Sequence, residues 1–157
     1  MSKKPTAADA EVILKLYDLR REAELRRARN WWVVEFWPET ADDFIKIAMN
    51  LGTQENNWLR QVPGYWGIAA SLALAGTVDR DLFLEPSFSG EMFLIYAKIK
   101  PFLKELRATM KNPHMFAHVE TLINSSKESR EFLKYMEGNI ANRRKMMAES
   151  AKVAKAS

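Results

Sequence analysis

The stretch that decides the fold is WLRQVPGYWGIAASLALAGTV, residues Trp58–Val78. It carries no charged side chain after Arg60, although 28% of the whole chain is charged. Small residues recur every four positions at Gly67, Ser71 and Ala75, and this spacing places them on one face of a helix. The sequence therefore predicts a buried central helix, with a smooth face that a second helix can approach closely.

An uncharged stretch of this length also has to be compared with a membrane-spanning helix, which needs about 20 apolar residues. Pro63, Gly64, Gly67 and Gly76 dilute its hydrophobicity. The segments on both sides are amphipathic and need an apolar element to cover. The pattern favours a core helix, so we expect no membrane partner.

Length and composition fit one globular domain. The 157 residues suffice to bury a core without disulfides, and an apolar fraction of 47% is ordinary for such a domain. The absence of cysteine excludes disulfides, thiolate metal ligands and a cysteine nucleophile. The chain begins with a short polar segment that lacks the apolar core of a signal peptide, so we expect a cytoplasmic location.

Apolar residues follow helical spacing along the chain, and no segment alternates with a period of two. A helix break is expected at residues 21–24, where the apolar register shifts, and bends are expected near Pro63 and Pro101. We predict an all-α single domain, residues 1–147, built as a bundle of about six to eight helices. Residues 148–157 are expected to form a frayed tail.

Several helix ends have sequence signatures. Capping boxes are indicated at Thr6–Asp9, Thr40–Asp43 and Ser125–Glu128. The Asn112–Pro113 pair predicts a helix with proline at its first position. Pro86–Gly90 indicates a loop. These signatures divide the chain into its predicted helices.

Three strings resemble a known family. They are LYDLRREAELRRARNW (Leu16–Trp31), GTVDRDLF (Gly76–Phe83) and KIKPFLKELR (Lys98–Arg107). In this order they are similar to a bacterial family catalogued only as a domain of unknown function, over roughly residues 10–125. The resemblance implies an all-helical domain of bacterial origin. It implies no chemistry, so it transfers no catalytic residues.

The two histidines are four residues apart, at His114 and His118. On one helix this spacing lets both rings reach one metal ion, but a zinc site needs further ligands. No carboxylate is expected one turn away on that face, and the neighbouring apolar residues point to the opposite side. The pair is a weak candidate for metal binding, and we predict exposed histidines without a metal.

All five tryptophans lie within residues 31–66. Aromatic walls with a few polar groups are typical of small-ligand pockets, which makes this region the candidate ligand-binding site. The candidate ligand-binding residues are Trp32, Glu55, Trp58, Tyr65 and Trp66. The alternative is that aromatic residues at helical spacing fill the core, and the pattern favours that packing role.

Both ends of the chain are basic. Lysine and arginine exceed aspartate and glutamate by three in residues 1–30 and by four in residues 127–157, within a total net charge of +4. The densest basic group comprises Arg20, Arg21, Arg26, Arg27 and Arg29. Such groups can bind the phosphates of nucleic acids. No reader motif accompanies them and intervening glutamates offset them, which favours a solvated face over nucleic-acid binding.

No residue pattern indicates catalysis, because no acid, base and nucleophile are grouped, and no cofactor is expected. We predict a non-catalytic helical interaction or scaffold module that binds an unknown protein partner or a second copy of itself. Arginine- and methionine-rich edges such as Arg143–Met147 suit such an interface. The alternative is a small-ligand-binding protein or an enzyme that uses the aromatic region Trp31–Trp66.

Overall fold

The computed structural model describes residues 4–156, and every regular element among them is helical. The helices are α1 (Ala7–Leu19), α2 (Ala23–Asn30), α3 (Ala41–Met49), α4 (Gln54–Leu74), α5 (Arg80–Phe83), α6 (Pro86–Ile99), α7 (Leu103–Thr109), α8 (Ala117–Ile123) and α9 (Lys127–Ala156). A π-helical turn, Trp31–Glu35, extends α2, and a 3₁₀ turn, Lys100–Phe102, joins α6 to α7. Since α6 and α7 are continuous through that turn, residues 4–156 form eight separate helices. The predicted all-α bundle is confirmed.

Helix α4 lies in the core, as predicted, and contacts α2, α3 and α8. Its buried residues are Asn56, Leu59, Val62, Trp66, Ala69, Ala70 and Ala73. In the part of the chain that the structure describes, neither α4 nor any other helix is long and apolar enough to cross a membrane.

The prediction that a second helix approaches the face of α4 formed by Gly67, Ser71 and Ala75 is wrong. Gly67 and Ser71 are half-buried and Ala75 is exposed. A Cβ atom added at Gly67 would meet nothing within 4 Å, so no helix approaches closely there. The small residues that α4 turns into the core are instead three fully buried alanines on a neighbouring face: Ala69, Ala70 and Ala73. Both sets have helical spacing, and the bulky residues beside the alanines decide which face turns inward.

Gly67→Ala is therefore expected to raise the free energy of unfolding by about 0.5–1 kcal/mol. Alanine loses less backbone entropy than glycine in a helix, and its methyl group meets no neighbour. Ala70→Leu, at a fully buried position, should lower the free energy of unfolding by about 1–3 kcal/mol through overpacking. Urea denaturation of both variants measures the difference. Destabilisation by Gly67→Ala would mean that a helix packs against this face after all.

Helix α6 is a second central helix, which the sequence did not indicate. Nine of its 14 residues are buried. It packs against α8, α9 and the π-helical turn. Its only two charged residues are Glu91 and Lys98. The side chain of Glu91 is 8% exposed and Lys98 is 0% exposed, so α6 brings one negative and one positive group into the interior.

The two internal prolines behave differently. Pro101 lies in the 3₁₀ turn between α6 and α7, where a bend was predicted. Pro63 lies inside α4, which continues from Gln54 to Leu74 as one helix although proline lacks the amide that would donate to the preceding turn. The bend predicted near Pro63 stays a prediction. The break predicted at residues 21–24 is confirmed, because α1 ends at Leu19 and α2 begins at Ala23.

The capping predictions are confirmed at two of three helices. Thr6–Asp9 and Thr40–Asp43 form both hydrogen bonds of a capping box. At α9 the cap lies one residue later than predicted, because the Ser126 hydroxyl accepts from the Ser129 amide. The box predicted at Ser125–Glu128 is therefore wrong.

Two loop boundaries were also wrong. Pro86–Gly90 forms the start of α6, since proline is tolerated at the first helical position and is pre-organised for it. The helix predicted from Asn112–Pro113 begins only at Ala117. Phe116 has a left-handed φ of 58°, which prevents an earlier start.

Helix α9 has two halves with different surroundings. Leu133 and Ile140 are buried in the first half, which packs against α6. The helix continues to Ala156, and residues 145–156 are exposed. The single domain at residues 1–147 and the frayed tail at 148–157 stay predictions.

Candidate functional site

The aromatic region predicted as a ligand site forms core packing. Trp32 and Trp66 are 0% and 1% exposed, Trp58 and Tyr65 are half-buried, and Glu55 is exposed. Trp32 Nε1 donates to the Trp58 carbonyl at 3.1 Å, and the Tyr65 and Trp66 rings pack edge to face at 5.0 Å. The structure thus brings four of the five candidates together in two pairs of packing neighbours. Ligand binding by this set stays a prediction.

The two histidines do not share a helix. His118 lies in α8, whereas His114 lies in the turn that precedes it, and both are exposed. The four-residue helical geometry that would direct both rings at one metal ion is absent. Within residues 4–156 no group of three or more histidines, aspartates and glutamates could hold a metal ion.

Glu91 of α6 organises a charged cluster with the α1–α2 turn and α2. Its Oε2 atom accepts from Arg29 Nε at 2.7 Å and lies 3.8 Å from Arg20 Nη2. Its Oε1 atom accepts from Trp66 Nε1 at 3.0 Å. One buried carboxylate therefore contacts two guanidinium groups and orients the buried tryptophan of α4, Trp66.

Arg20 lies at the base of this cluster and is only 7% exposed. Its Nη1 atom donates to the Phe88 carbonyl at 2.9 Å, and its guanidinium carbon lies 5.2–5.9 Å from the ring centres of Tyr17, Trp66 and Phe88. Its Nε atom is buried and has no hydrogen-bond acceptor within residues 4–156. Burial lowers the pKa of Arg20 below its usual value, while Glu91 acts in the opposite direction.

Four arginines surround a surface pocket of about 310 Å³, which we call the arginine pocket. Its wall consists of Tyr17, Arg20, Arg21, Arg26 and Arg29. Arg26 Nη2 donates to the Arg21 carbonyl at 2.8 Å, which ties α2 to the turn before it. The sequence identified this basic group, and the structure gathers four of its five members. Arg27 instead pairs with Glu24 at 2.7 Å on the exposed side of α2.

A second pocket, of about 360 Å³, has an almost entirely apolar wall. It is lined by Phe44, Ala48, Leu59, Arg60, Pro63, Gly64, Met110, Met115 and Phe116. Lys111 and Phe116, at the two ends of the turn beside it, both have positive φ. Arg107 holds this turn through two hydrogen bonds to the Met115 carbonyl, at 2.8 and 3.0 Å. Small-ligand binding stays a prediction, and this pocket is large enough to hold a small apolar ligand.

Lys98 of α6 caps the π-helical turn from inside the core. Its Nζ atom donates to the carbonyls of Trp32 and Phe36, at 2.5 and 2.9 Å, and lies 3.7 Å from the centre of the Trp37 ring. These carbonyls lie at the end of a helix, where amide partners run out. Burial lowers the pKa of Lys98 to about 7. Lys98 was not among the predicted site residues, although a lone lysine within the apolar run Met92–Ile99 is a signal for a buried polar contact.

A third pocket, of about 350 Å³, lies along the first half of α9, and we call it the α9 groove. It is lined by Val33, Val34, Trp37, Leu94, Met136, Asn139, Ile140 and Arg143. At its end Arg144 Nη2 donates to the Pro38 carbonyl at 2.7 Å. Beyond Arg144 every described side chain of α9 is exposed, including Met146, Met147 and Val153.

These features define an all-α domain with two buried charges on its second central helix and a long basic helix at its C-terminal side. The family model described as "Domain of unknown function (DUF4760)" matches residues 5–126, so the chain belongs to this family. The resemblance carried by the three sequence strings is confirmed, and the bacterial origin it implies stays a prediction. Helix α9 follows the matched region. No curated protein and no solved structure was found to match.

Proposed function

We propose that the protein is a helical interaction module that binds an acidic amphipathic helix of a partner protein. The docking surface would be the α9 groove together with the exposed second half of α9. The observation that carries this proposal is that the face of α9 which is buried in its first half continues as one stripe along its second half, where the side chains are exposed.

That stripe has regular helical spacing along the whole of α9. Its members in the first half, Ser129, Leu133, Met136 and Ile140, are buried or half-buried. From Ile140, steps of three or four residues lead through the half-buried Arg144 to the exposed members Met147, Ala151 and Ala154. Residues so spaced share one face of a helix. The face that is buried up to Ile140 is therefore presented to solvent about two to four turns later.

An exposed apolar stripe of this kind favours a binding role. Met146 and Val153, beside the stripe, are 56% and 70% exposed, and Val34 of the α9 groove is 57% exposed. A helical segment of about 12 residues has little stability of its own in water. A partner helix that covers this face would stabilise it, and contiguous apolar surface commonly marks an interaction site.

The charges on this segment favour an acidic partner over a second copy. Between residues 143 and 156 there are five basic residues and one acidic residue, Glu149. Two such helices would repel each other, whereas a helix with acidic flanks would be attracted and oriented. Of the two partners predicted from the sequence, a different protein and a second copy of this chain, the charges therefore favour a different protein.

We expect a synthetic amphipathic helix of leucine and glutamate to bind this surface, because it supplies apolar contacts and complementary charge. Its affinity should fall as salt is raised. Fluorescence anisotropy of the labelled peptide measures binding. Met147→Asp and Val34→Asp should each weaken binding at least about tenfold, since each places a charge at the centre of an apolar contact.

Met49→Asp is the matched control, because Met49 is exposed at the end of α3 and lies outside this surface. It should leave peptide affinity unchanged. Equal binding of a leucine–lysine peptide, or equal weakening by Met49→Asp, would contradict the proposal. A dimer in sedimentation at micromolar concentration that Met147→Asp dissociates would assign the surface to a second copy and also overturn it.

A further inference from the structure

We propose that the arginine pocket binds a small phosphate-bearing anion. This site lies within the family-matched region, on α1, α2 and the turn between them, and it shares no lining residue with the α9 groove. Three observations carry the inference: the excess of positive charge, the buried Nε atom of Arg20, and the fixed arrangement of the surrounding guanidinium groups.

The charges of the pocket do not balance. Four arginines line it, and Glu91 is the carboxylate that contacts two of them. Glu91 is engaged chiefly by Arg29, at 2.7 Å, and lies farther from Arg20, at 3.8 Å. Arg20 is nonetheless the most buried of the four. A buried cation that shares its carboxylate leaves positive charge that a bound anion would neutralise.

Arg20 has the properties of a preformed anion ligand. Three aromatic rings and the Phe88 carbonyl fix its guanidinium group, so little side-chain freedom remains to be lost on binding. Its Nε atom is buried and has no acceptor within residues 4–156. An unsatisfied buried donor of a charged group is costly, and an anionic oxygen is its strongest acceptor.

The rim of the pocket determines the class of anion. Arg21 and Arg26 are exposed at the opening, and a hydrogen bond to the Arg21 carbonyl holds Arg26 in place. Guanidinium groups donate in a planar fork that matches phosphate oxygens. An excess of about three positive charges favours a doubly charged phosphate over a single carboxylate. Glu22 and Glu24 lie on the flanking exposed surface and oppose an extended nucleic-acid backbone.

Isothermal titration with inorganic phosphate, pyrophosphate and adenosine monophosphate, at constant ionic strength, tests the proposal. We expect saturable binding at one site per chain. Arg26→Gln should weaken it at least about tenfold, because a charge-assisted donor is lost from the rim. Arg27→Gln is the matched control: it removes the same charge one residue away, outside the pocket, and should change affinity less than twofold.

Arg20→Gln should abolish binding, and Arg26→Gln keeps the proposal testable if that variant does not fold. Tighter binding of adenosine monophosphate than of inorganic phosphate would identify a phosphate monoester as the ligand. Equal affinities would identify free phosphate. Either result supports the site. Absence of saturable binding of all three anions, or equal weakening by Arg26→Gln and Arg27→Gln, would overturn it.

Discussion

Glu91→Gln is expected to lower the free energy of unfolding by about 3–5 kcal/mol, the range for removing one partner of a buried ion pair. Glutamine retains the size of glutamate, but its single carboxamide oxygen can replace only one of the two acceptor atoms that Arg29 and Trp66 use. It also removes the only negative charge that contacts Arg20 and Arg29 within residues 4–156. The loss therefore combines the uncompensated charge of two guanidinium groups, one of them buried, with one lost hydrogen-bond acceptor.

Urea denaturation in phosphate-free buffer of low ionic strength measures this change, because salt would screen the charges and phosphate in the arginine pocket would offset the lost one. Glu137→Gln is the control. The Glu137 carboxylate pairs with Lys100, but the two side chains are 35% and 44% exposed. An exposed pair contributes about 1 kcal/mol or less, so this variant should be almost neutral. If both variants lowered the free energy of unfolding by a similar amount, burial of the Glu91 carboxylate would not be the cause of the loss.

Lys98→Met is expected to lower the free energy of unfolding by about 2–4 kcal/mol at pH 9. Methionine fills a similar volume but leaves the carbonyls of Trp32 and Phe36 without the donor that satisfies them. Each buried acceptor left unsatisfied costs about 1–3 kcal/mol. The π-helical turn that positions Trp31 and Trp32 in the core depends on this cap.

The contribution of Lys98 should also depend on pH. Burial lowers the pKa of Lys98 to about 7 in the folded protein, whereas the ordinary pKa of a lysine side chain is 10.5. Between these values the unfolded chain binds a proton that the folded chain has released, so the fold gains stability as the pH rises through this window. From pH 7 to pH 9 the gain is about 2–3 kcal/mol.

Chemical denaturation of the wild type and of Lys98→Met at several pH values isolates this effect. The difference between the two curves should grow from pH 7 to pH 9, because methionine does not titrate. Lys100→Met, at an exposed position two residues away, should follow the wild-type pH dependence. A constant difference between wild type and Lys98→Met would mean that Lys98 keeps its proton when buried.

Local sequence signals predicted the features that depend on neighbouring residues. The capping boxes at Thr6 and Thr40 formed as expected, and the α-helix changes to a 3₁₀ turn at Pro101, where a bend was predicted. Each rests on a hydrogen bond, or a missing amide, within about four residues. The errors at Pro86 and Asn112 have a different origin: a proline signal fits both a loop and a first helical turn, and the packing of α6 and α7–α8 decides between them.

The sites were harder to predict because they join distant parts of the chain. Arg29 and Glu91 are 62 residues apart, and Lys98 lies 66 residues from its acceptor on Trp32. The sequence showed a dense group of arginines but not that four of them share a pocket. It indicated the edge Arg143–Met147 as a possible interface but not where the contact of α9 with the domain ends, since that depends on how far α6 and the α9 groove extend.

The sequence by itself determined that the chain is helical, where α1 and α3 begin, and that α4 belongs to the core, since periodicity and capping are local properties. Only the tertiary structure decided that α6 is equally central and that its two charges are buried. The physical reason is that burying Glu91 or Lys98 is favourable only once remote groups supply the opposite charge or the acceptors, and a linear pattern does not show which groups those are.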